Sequence, residues 1–357
     1  MVKVKKILVL SGVVAAAGLM ALSAGARVSA SKANIDVAVL LPDSKSSVRW
    51  ETQDRRFLAA AFKAAGLKAS IVNAEGDAQK QRSQADQALT NGAKVILLVN
   101  LDSGSGAAIE AAAKAKGAKV IDYDRLTLKG SASYYVSFNN VAVGRLQGEG
   151  LVAALKANGM YGKKPVVAEL NGSPTDNNAT LFKQGYDSVL NPLYKNGTFV
   201  KGPDQSVPGW DNQKGLQIFE QMLAKTGNKI DAVDAANDGL GNAVISALKN
   251  HKLKPIPVTG QDATAQGVQN ILSGWQSMTV YKAIKAEANA AAKLAISLIK
   301  GGKPVGVNGK VSDGVRNVPS VLLTPVAITK ANYKLLFTDG FLKKSDVCIG
   351  AYAQYCK

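Results

Sequence analysis

From residue 35 onward the chain alternates short, near-continuous apolar runs with longer amphipathic stretches. Residues 35–41, 67–73, 95–99 and the run through Val120, Ile121 and Tyr123 read as strands. Between them, 53–65, 77–90 and 105–116 have helical spacing and end near Gly66, Asn91-Gly92 and Gly117. Runs that stay apolar on both faces are expected of parallel strands covered by helices on each side. Strand-helix-strand repeats joined by short turns give right-handed crossovers and an open, doubly wound sheet.

The same order restarts after about residue 139. Helices are predicted over 141–157, 178–190, 212–225 and 239–248, and strands over 166–170, 199–200, 230–235 and 256–259. The fold class is therefore α/β, with two similar doubly wound parallel-sheet lobes and a cleft between them. Open α/β sheets bind ligands beyond the carboxyl ends of their strands. Pockets also favour domain interfaces. The residues that follow each strand are thus the candidate functional set.

Residues 1–30 depart from this pattern. Lys3, Lys5 and Lys6 precede an apolar run from residue 7 to 22, and small residues follow in Ala24-Gly25-Ala26 and Val28-Ser29-Ala30. This is the layout of a cleavable signal peptide, cut after Ala26 or Ala30, and it predicts a periplasmic location. A membrane anchor is the competing reading, since the run is nearly long enough to span. Its small residues favour cleavage.

Composition narrows the chemistry. The 357 residues, enough for about two domains, hold 44 Lys+Arg against 26 Asp+Glu, for a net charge of +18. Cleavage after Ala30 removes four positive charges from +18 and leaves +14. The remaining lysines are dispersed, without the basic runs or aromatic interleaving that nucleic-acid binding favours. No nucleic-acid partner is expected. With one histidine, His251, a His-rich zinc site is excluded, and any Ser-His dyad would have to use that residue. Neither metal nor cofactor is expected. Cys348 and Cys356 sit near the end of a chain predicted to enter an oxidising compartment, and a disulfide closing a short loop is expected.

The strand ends are polar and aromatic. Arg49 and Trp50 follow the first strand, and Asp124 and Arg125 the fourth. In the second half come Ser173-Pro174-Thr175-Asp176-Asn177-Asn178, then Trp210, Asn237-Asp238, Gln261-Asp262 and Lys282. Carboxylates, amides and cations bond to adjacent hydroxyls as acceptors and donors. Indole rings offer flat faces to the C–H side of a pyranose. No phosphate-binding GxxxxGK[ST] loop is present, and four aspartates would repel an anion. Taken singly, each has a plainer explanation: Asp176 or Asn237 as a helix cap, Asp124-Arg125 as a surface ion pair, the tryptophans as core. Trp275, within an apolar stretch, reads as core.

In this order, Arg49-Trp50, Tyr123-Asp124-Arg125, Ser173 to Asn178, Gly209-Trp210, Asn237-Asp238, Gly260-Gln261-Asp262-Ala263 and Met278-Thr279-Val280-Tyr281-Lys282 resemble the periplasmic D-xylose-binding proteins of ABC transporters. These belong to the type I pentose/hexose-binding family, and the resemblance runs from about Asp36 to Leu342. It implies that Arg49, Asp124, Arg125, Asn177, Asn237, Asp262 and Lys282 hydrogen-bond a sugar, with Asp176 assisting and Trp50 and Trp210 walling the ring. It implies an N-terminal lobe of residues 31–138 plus 283–303, and a C-terminal lobe of 139–282 plus 304–342. Residues 343–357 form an extension outside the pattern. Three hinge crossings are implied near Ser137 to Asn139, near Tyr281-Lys282, and between Gly301 and Thr324. The partners implied are a monosaccharide, foremost D-xylose, an ABC permease and a chemoreceptor. Such a protein captures and is not an enzyme.

Three rivals share parts of this reading. A secreted glycosidase could pair Asp124 with Asp262, although Arg125 and Lys282 are expected to depress both carboxyl pKa values. A repressor core would need a helix-turn-helix ahead of the first strand. The same fold could also take glucose, ribose or arabinose.

Overall fold

The computed structural model describes residues 34–356, and the leader predicted over residues 1–30 lies outside them. The first lobe is built from β1 (Val37–Leu41), α1 (Arg55–Ala64), β2 (Ala69–Asn73), α2 (Ala78–Thr90), β3 (Val95–Leu98), α3 (Ser103–Ala115), β4 (Lys119–Tyr123) and β5 (Tyr134–Phe138). β1 shows why its strands are apolar throughout. Val37, Val39 and Leu41 pack with Leu58, Phe62 and Ala291 on one face, while Ala38 and Leu40 pack with Ala85, Ile109 and Ala113 on the other. Successive side chains of a strand point to opposite faces, so a sheet with helices on both sides must be apolar at every position.

The second lobe repeats the plan with α4 (Asn140–Ala157), β6 (Val166–Asn171), α5 (Asn177–Lys195), β7 (Val200–Ser206), α6 (Asn212–Thr226), β8 (Ala232–Ala235), α7 (Asp238–Asn250), α8 (Ala265–Ser273) and β9 (Thr279–Tyr281). Its strands pair in parallel in the order β7-β6-β8. The strand predicted over 256–259 is reduced to a single bridge, Val233 to Val258. The segment then joins β9 through hydrogen bonds of Val280 N to Gly260 O and Asp262 N to Val280 O. Helices α4 and α5 lie in backbone contact. A Cβ at Gly144 would come within 1.8 Å of the Phe182 carbonyl oxygen, so only glycine permits this approach. That approach carries Asn178 and Phe182 toward the cleft.

The chain crosses between lobes from β5 to α4, from β9 to α9 (Ile284–Ile299), and from β11 (Asn317–Leu323) to β12 (Val326–Ile328). Helix α9 packs on α1, β3 and β5 of the first lobe. The strands that follow it correct the expected lobe boundary. β10 (Gly309–Ser312) and β11 belong to the first lobe's sheet, ordered β10-β11-β5-β4-β3-β1-β2, rather than to the C-terminal lobe assigned to 304–342. The cause is parallel pairing of Ser320 to Leu323 with Tyr135 to Phe138. Only from β12, antiparallel to β9, does the chain lie in the second lobe.

The tail carries α10 (Leu335–Thr338) and α11 (Lys344–Val347). Val347 is buried with Leu272, Tyr281 and Leu336, and Gln269 Nε2 donates to the Val347 carbonyl at 3.0 Å. Cys348 and Cys356 form a disulfide. Among the described residues no helix is long and apolar enough to cross a membrane.

Candidate functional site

The strand ends of both lobes converge on one buried polar cavity. Nine of the predicted residues line it: Arg49, Trp50, Asp124, Arg125, Asp176, Trp210, Asn237, Asp262 and Lys282. Asn177 does not, and its neighbour Asn178 takes that place. Asp176 caps α5 by accepting from Asn178 N at 2.9 Å. The next residues are therefore helical and point about 100° apart, so Asn178 faces the cleft while Asn177 stays half-buried outside it. Ser46, Ser47, Phe182 and Gln261 complete the lining. Gln261 stands among the strand-end residues beside Asp262, although no role was assigned to it. Phe182, inside a helical apolar pattern, gave no sign.

Arg49 opens a wide, π-type turn, Trp50–Asp54, after β1. Its guanidinium donates to Asp54 from Nε at 2.9 Å and Nη2 at 2.7 Å, to Glu287 at 2.6 Å and to Asp124 at 2.7 Å. The Arg49 guanidinium also lies 4.5 Å from the centre of the Trp50 ring, and that of Arg125 lies 5.5 Å away. Lys282, at the second crossing, reaches Asp124 at 3.3 Å.

Burial by itself would raise the Asp124 pKa, but Lys282, Arg49 and Arg125 outweigh it and hold this carboxyl well below the usual range. Asp262 goes the other way. Burial raises it, and Lys282 and Arg49 only partly oppose that, so the expectation that both carboxyls would be depressed holds for Asp124 alone. Burial pushes Glu287 up to about 8 despite Arg49, with Asp124 adding to the rise.

Besides Lys282 and Asp124, further side-chain contacts join the lobes. Arg125 Nε lies 3.0 Å from Asp176 Oδ2, Asn178 Nδ2 donates to Asp124 Oδ1 at 3.0 Å, and Ser47 Oγ donates to Asp262 Oδ2 at 3.2 Å. With the lobes so drawn together the cavity is about 30 Å³, room for roughly one water. Arg49 and Lys282 pair with Asp124 and Arg125 with Asp176, while the buried Gln261 Oε1 has no hydrogen-bond partner.

Capping and cleft duties coexist in single residues. Asp176 Oδ1 caps α5, while Oδ2 faces Arg125 and accepts from Trp210 Nε1 at 3.1 Å. Asn237 Oδ1 accepts from Leu240 N and so caps α7, leaving its amide nitrogen as a donor. Asp124, Trp210 and Asp262 adopt positive φ of 62°, 56° and 98°. Such conformations cost about 1–3 kcal/mol each, and they cluster where side chains must be aimed. The Trp210 ring lies over Gly172, where a Cβ would meet Cη2 at 2.0 Å.

Two α/β lobes crossed three times, with a polar cavity at facing strand ends, define a two-lobed solute-binding architecture. Residues 37–303 match the model of the periplasmic binding protein domain, and the chain belongs to that family, in its type I sugar-binding branch. It is 35% identical over 301 residues to the D-xylose-binding periplasmic protein of Escherichia coli, covering 84% of this chain and 88% of that one. It is 34% identical to the multiple sugar-binding periplasmic protein SbpA of Azospirillum brasilense, over 91% and 94% of the two chains. A solved ABC transporter solute-binding protein from Clostridium phytofermentans, with bound β-D-glucose, superimposes with a TM-score of 0.81 at 32% identity, covering 87% of this chain and 99% of that one.

Proposed function

We propose that this protein captures a monosaccharide, D-xylose foremost, between its lobes in the periplasm and delivers it to an ABC permease. The observation that carries the proposal is the convergence on Asp124 of Arg49, Lys282 and Asn178, beside two indole rings. A sugar hydroxyl both donates and accepts, so it can replace such contacts pair for pair. Arg49, Asp124, Arg125, Asp176, Asn178, Asn237, Asp262 and Lys282 supply the hydrogen bonds in this reading, and Trp50 and Trp210 wall the ring. The ligand touches both lobes, and this differential contact favours the closed form. The predicted leader and the location of the family's members support the periplasmic placement.

Glucose is the second reading, supported by the sugar bound in the Clostridium phytofermentans protein and by the multiple specificity in the name of SbpA. Pentose and hexose pyranoses differ by one hydroxymethyl group, worth little discrimination in an apolar pocket and much more where a buried polar group is left unpaired. Titration of the mature protein with xylose, glucose, ribose and arabinose, followed by tryptophan fluorescence, tests the proposal. Xylose should change the emission with the lowest half-saturation. No change with any of the four would overturn it.

A further inference from the structure

The cleft does not end at the inner cavity. Ser46, Arg125, Asp176 and Trp210 line both that cavity and a second chamber of about 500 Å³ on its outer side. These side chains form the wall between the two. Arg125 Nε stands 3.0 Å from Asp176 Oδ2, Trp210 Nε1 donates to the same oxygen at 3.1 Å, and Arg125 Nη2 donates to Ser46 Oγ at 3.2 Å. Beyond the wall the first lobe contributes Asp43, Lys45, Glu75 and Asp102, and the second contributes Ser173 and Thr175. The chamber exists with the lobes in contact and the inner cavity only about 30 Å³. The chamber is therefore present with the lobes closed, the form that a bound sugar favours.

We propose that this chamber is an outer subsite, which takes the second ring of a disaccharide or the aglycone of a glycoside whose first ring occupies the inner cavity. The proposal rests on the sugar-binding reading above. The chemistry favours a neutral hydroxylated group: Asp43, Glu75, Asp102 and Asp176 disfavour a phosphate or carboxylate, while carboxylates, hydroxyls and Lys45 offer acceptors and donors to hydroxyls. Its volume lies within the range of small-molecule sites, about 300–1,000 Å³. The Arg125–Ser46 contact is the longest of the three in the wall. Opening it gives a linking oxygen passage while the Arg125–Asp176 pair stays closed.

Calorimetric titration of the mature chain with two pairs, xylose with xylobiose and glucose with cellobiose, tests the subsite. The disaccharide of whichever monosaccharide binds should itself bind, within about 100-fold in Kd, or about 2.7 kcal/mol. Ala78 lines the outer chamber and not the inner cavity. Ala78→Trp should therefore weaken the disaccharide at least about tenfold and leave the monosaccharide within about twofold, which also shows that the variant is folded. A monosaccharide that binds while its disaccharide gives no heat overturns the outer subsite alone. So does an Ala78→Trp protein that binds the disaccharide as the parent does, or weakens both sugars equally. Heat from neither monosaccharide overturns the sugar reading, and the subsite with it.

Discussion

Arg125 and Asp176 meet across the cleft at 3.0 Å, one from the end of β4 and the other from the cap of α5, and each side chain is almost wholly buried. A buried pair that spans two lobes is made only when they close. Truncating either partner leaves the other charge without compensation, at a cost of about 2–5 kcal/mol. Asp176→Ala should therefore weaken sugar binding at least about thirtyfold, read by titration against the parent. Asp176 also caps α5, so Asp176→Asn, which keeps the cap and the acceptor but drops the charge, should lose less. Equal affinity in parent and Asp176→Ala would remove this pair from the closing contacts.

Trp210 depends on the glycine beneath it. Gly172→Ala would push Cβ into the indole ring, and such overpacking costs about 1–3 kcal/mol. Sugar affinity should fall about tenfold and the fluorescence response shrink, with the far-ultraviolet dichroism unchanged. Trp210→Phe should also lose most of the spectral change. A full response from that variant would mean that the ring does not wall the ligand.

The pH profile carries a signature of Glu287. Its pKa rises on folding from 4.5 to about 8, so between these values the native state binds more protons than the unfolded one. The contribution of Glu287 to stability is present below about 4.5 and is lost as pH climbs toward about 8. Glu287→Gln keeps an acceptor for Arg49 and does not titrate. Its melting temperature should decline less than the parent's between pH 5 and pH 8. Asp238, which burial raises to about 7, leaves a residual slope in both proteins. Parallel profiles would show that Glu287 is ionised throughout that range.

The disulfide should matter for stability alone. Cys348 and Cys356 close a short loop against the cluster of Leu272, Leu336 and Val347, outside the residues that line the cleft. In the chain-entropy model, closing such a loop stabilises by about 2–3 kcal/mol. Cys348→Ser with Cys356→Ser should lower the melting temperature and leave the sugar Kd unchanged. A changed Kd would tie the tail to the cleft.

How much of this was legible follows from what each residue needs of its surroundings. β1 and β3 are apolar at every position because both sheet faces are covered, and that burial is written locally. The strand-end rule reaches eleven of the residues lining the cavity without any knowledge of the pairing. The resemblance points to Asn177, whereas Asn178 lines the cavity, because at the start of α5 one residue turns the side chain by about 100°. β10 and β11 were assigned to the wrong lobe for a different reason. Gly309 to Ser312 is half polar, and β11 finds its partner β5 some 185 residues earlier, a pairing no local pattern reports. Burial misled in the other direction at Asp262. Its cationic neighbours were visible in the sequence, but the desolvation that outweighs them was not.

The central claim is that Asp124 and the cations around it exchange their mutual contacts for those of a sugar ring. Calorimetric titration of the mature protein with D-xylose, in parallel with Asp124→Asn, tests this most directly. One site per chain is expected in the parent, and a loss of about 2–5 kcal/mol in the variant. Absence of heat in the parent at protein concentrations far above micromolar, or an unchanged affinity in Asp124→Asn, would contradict it.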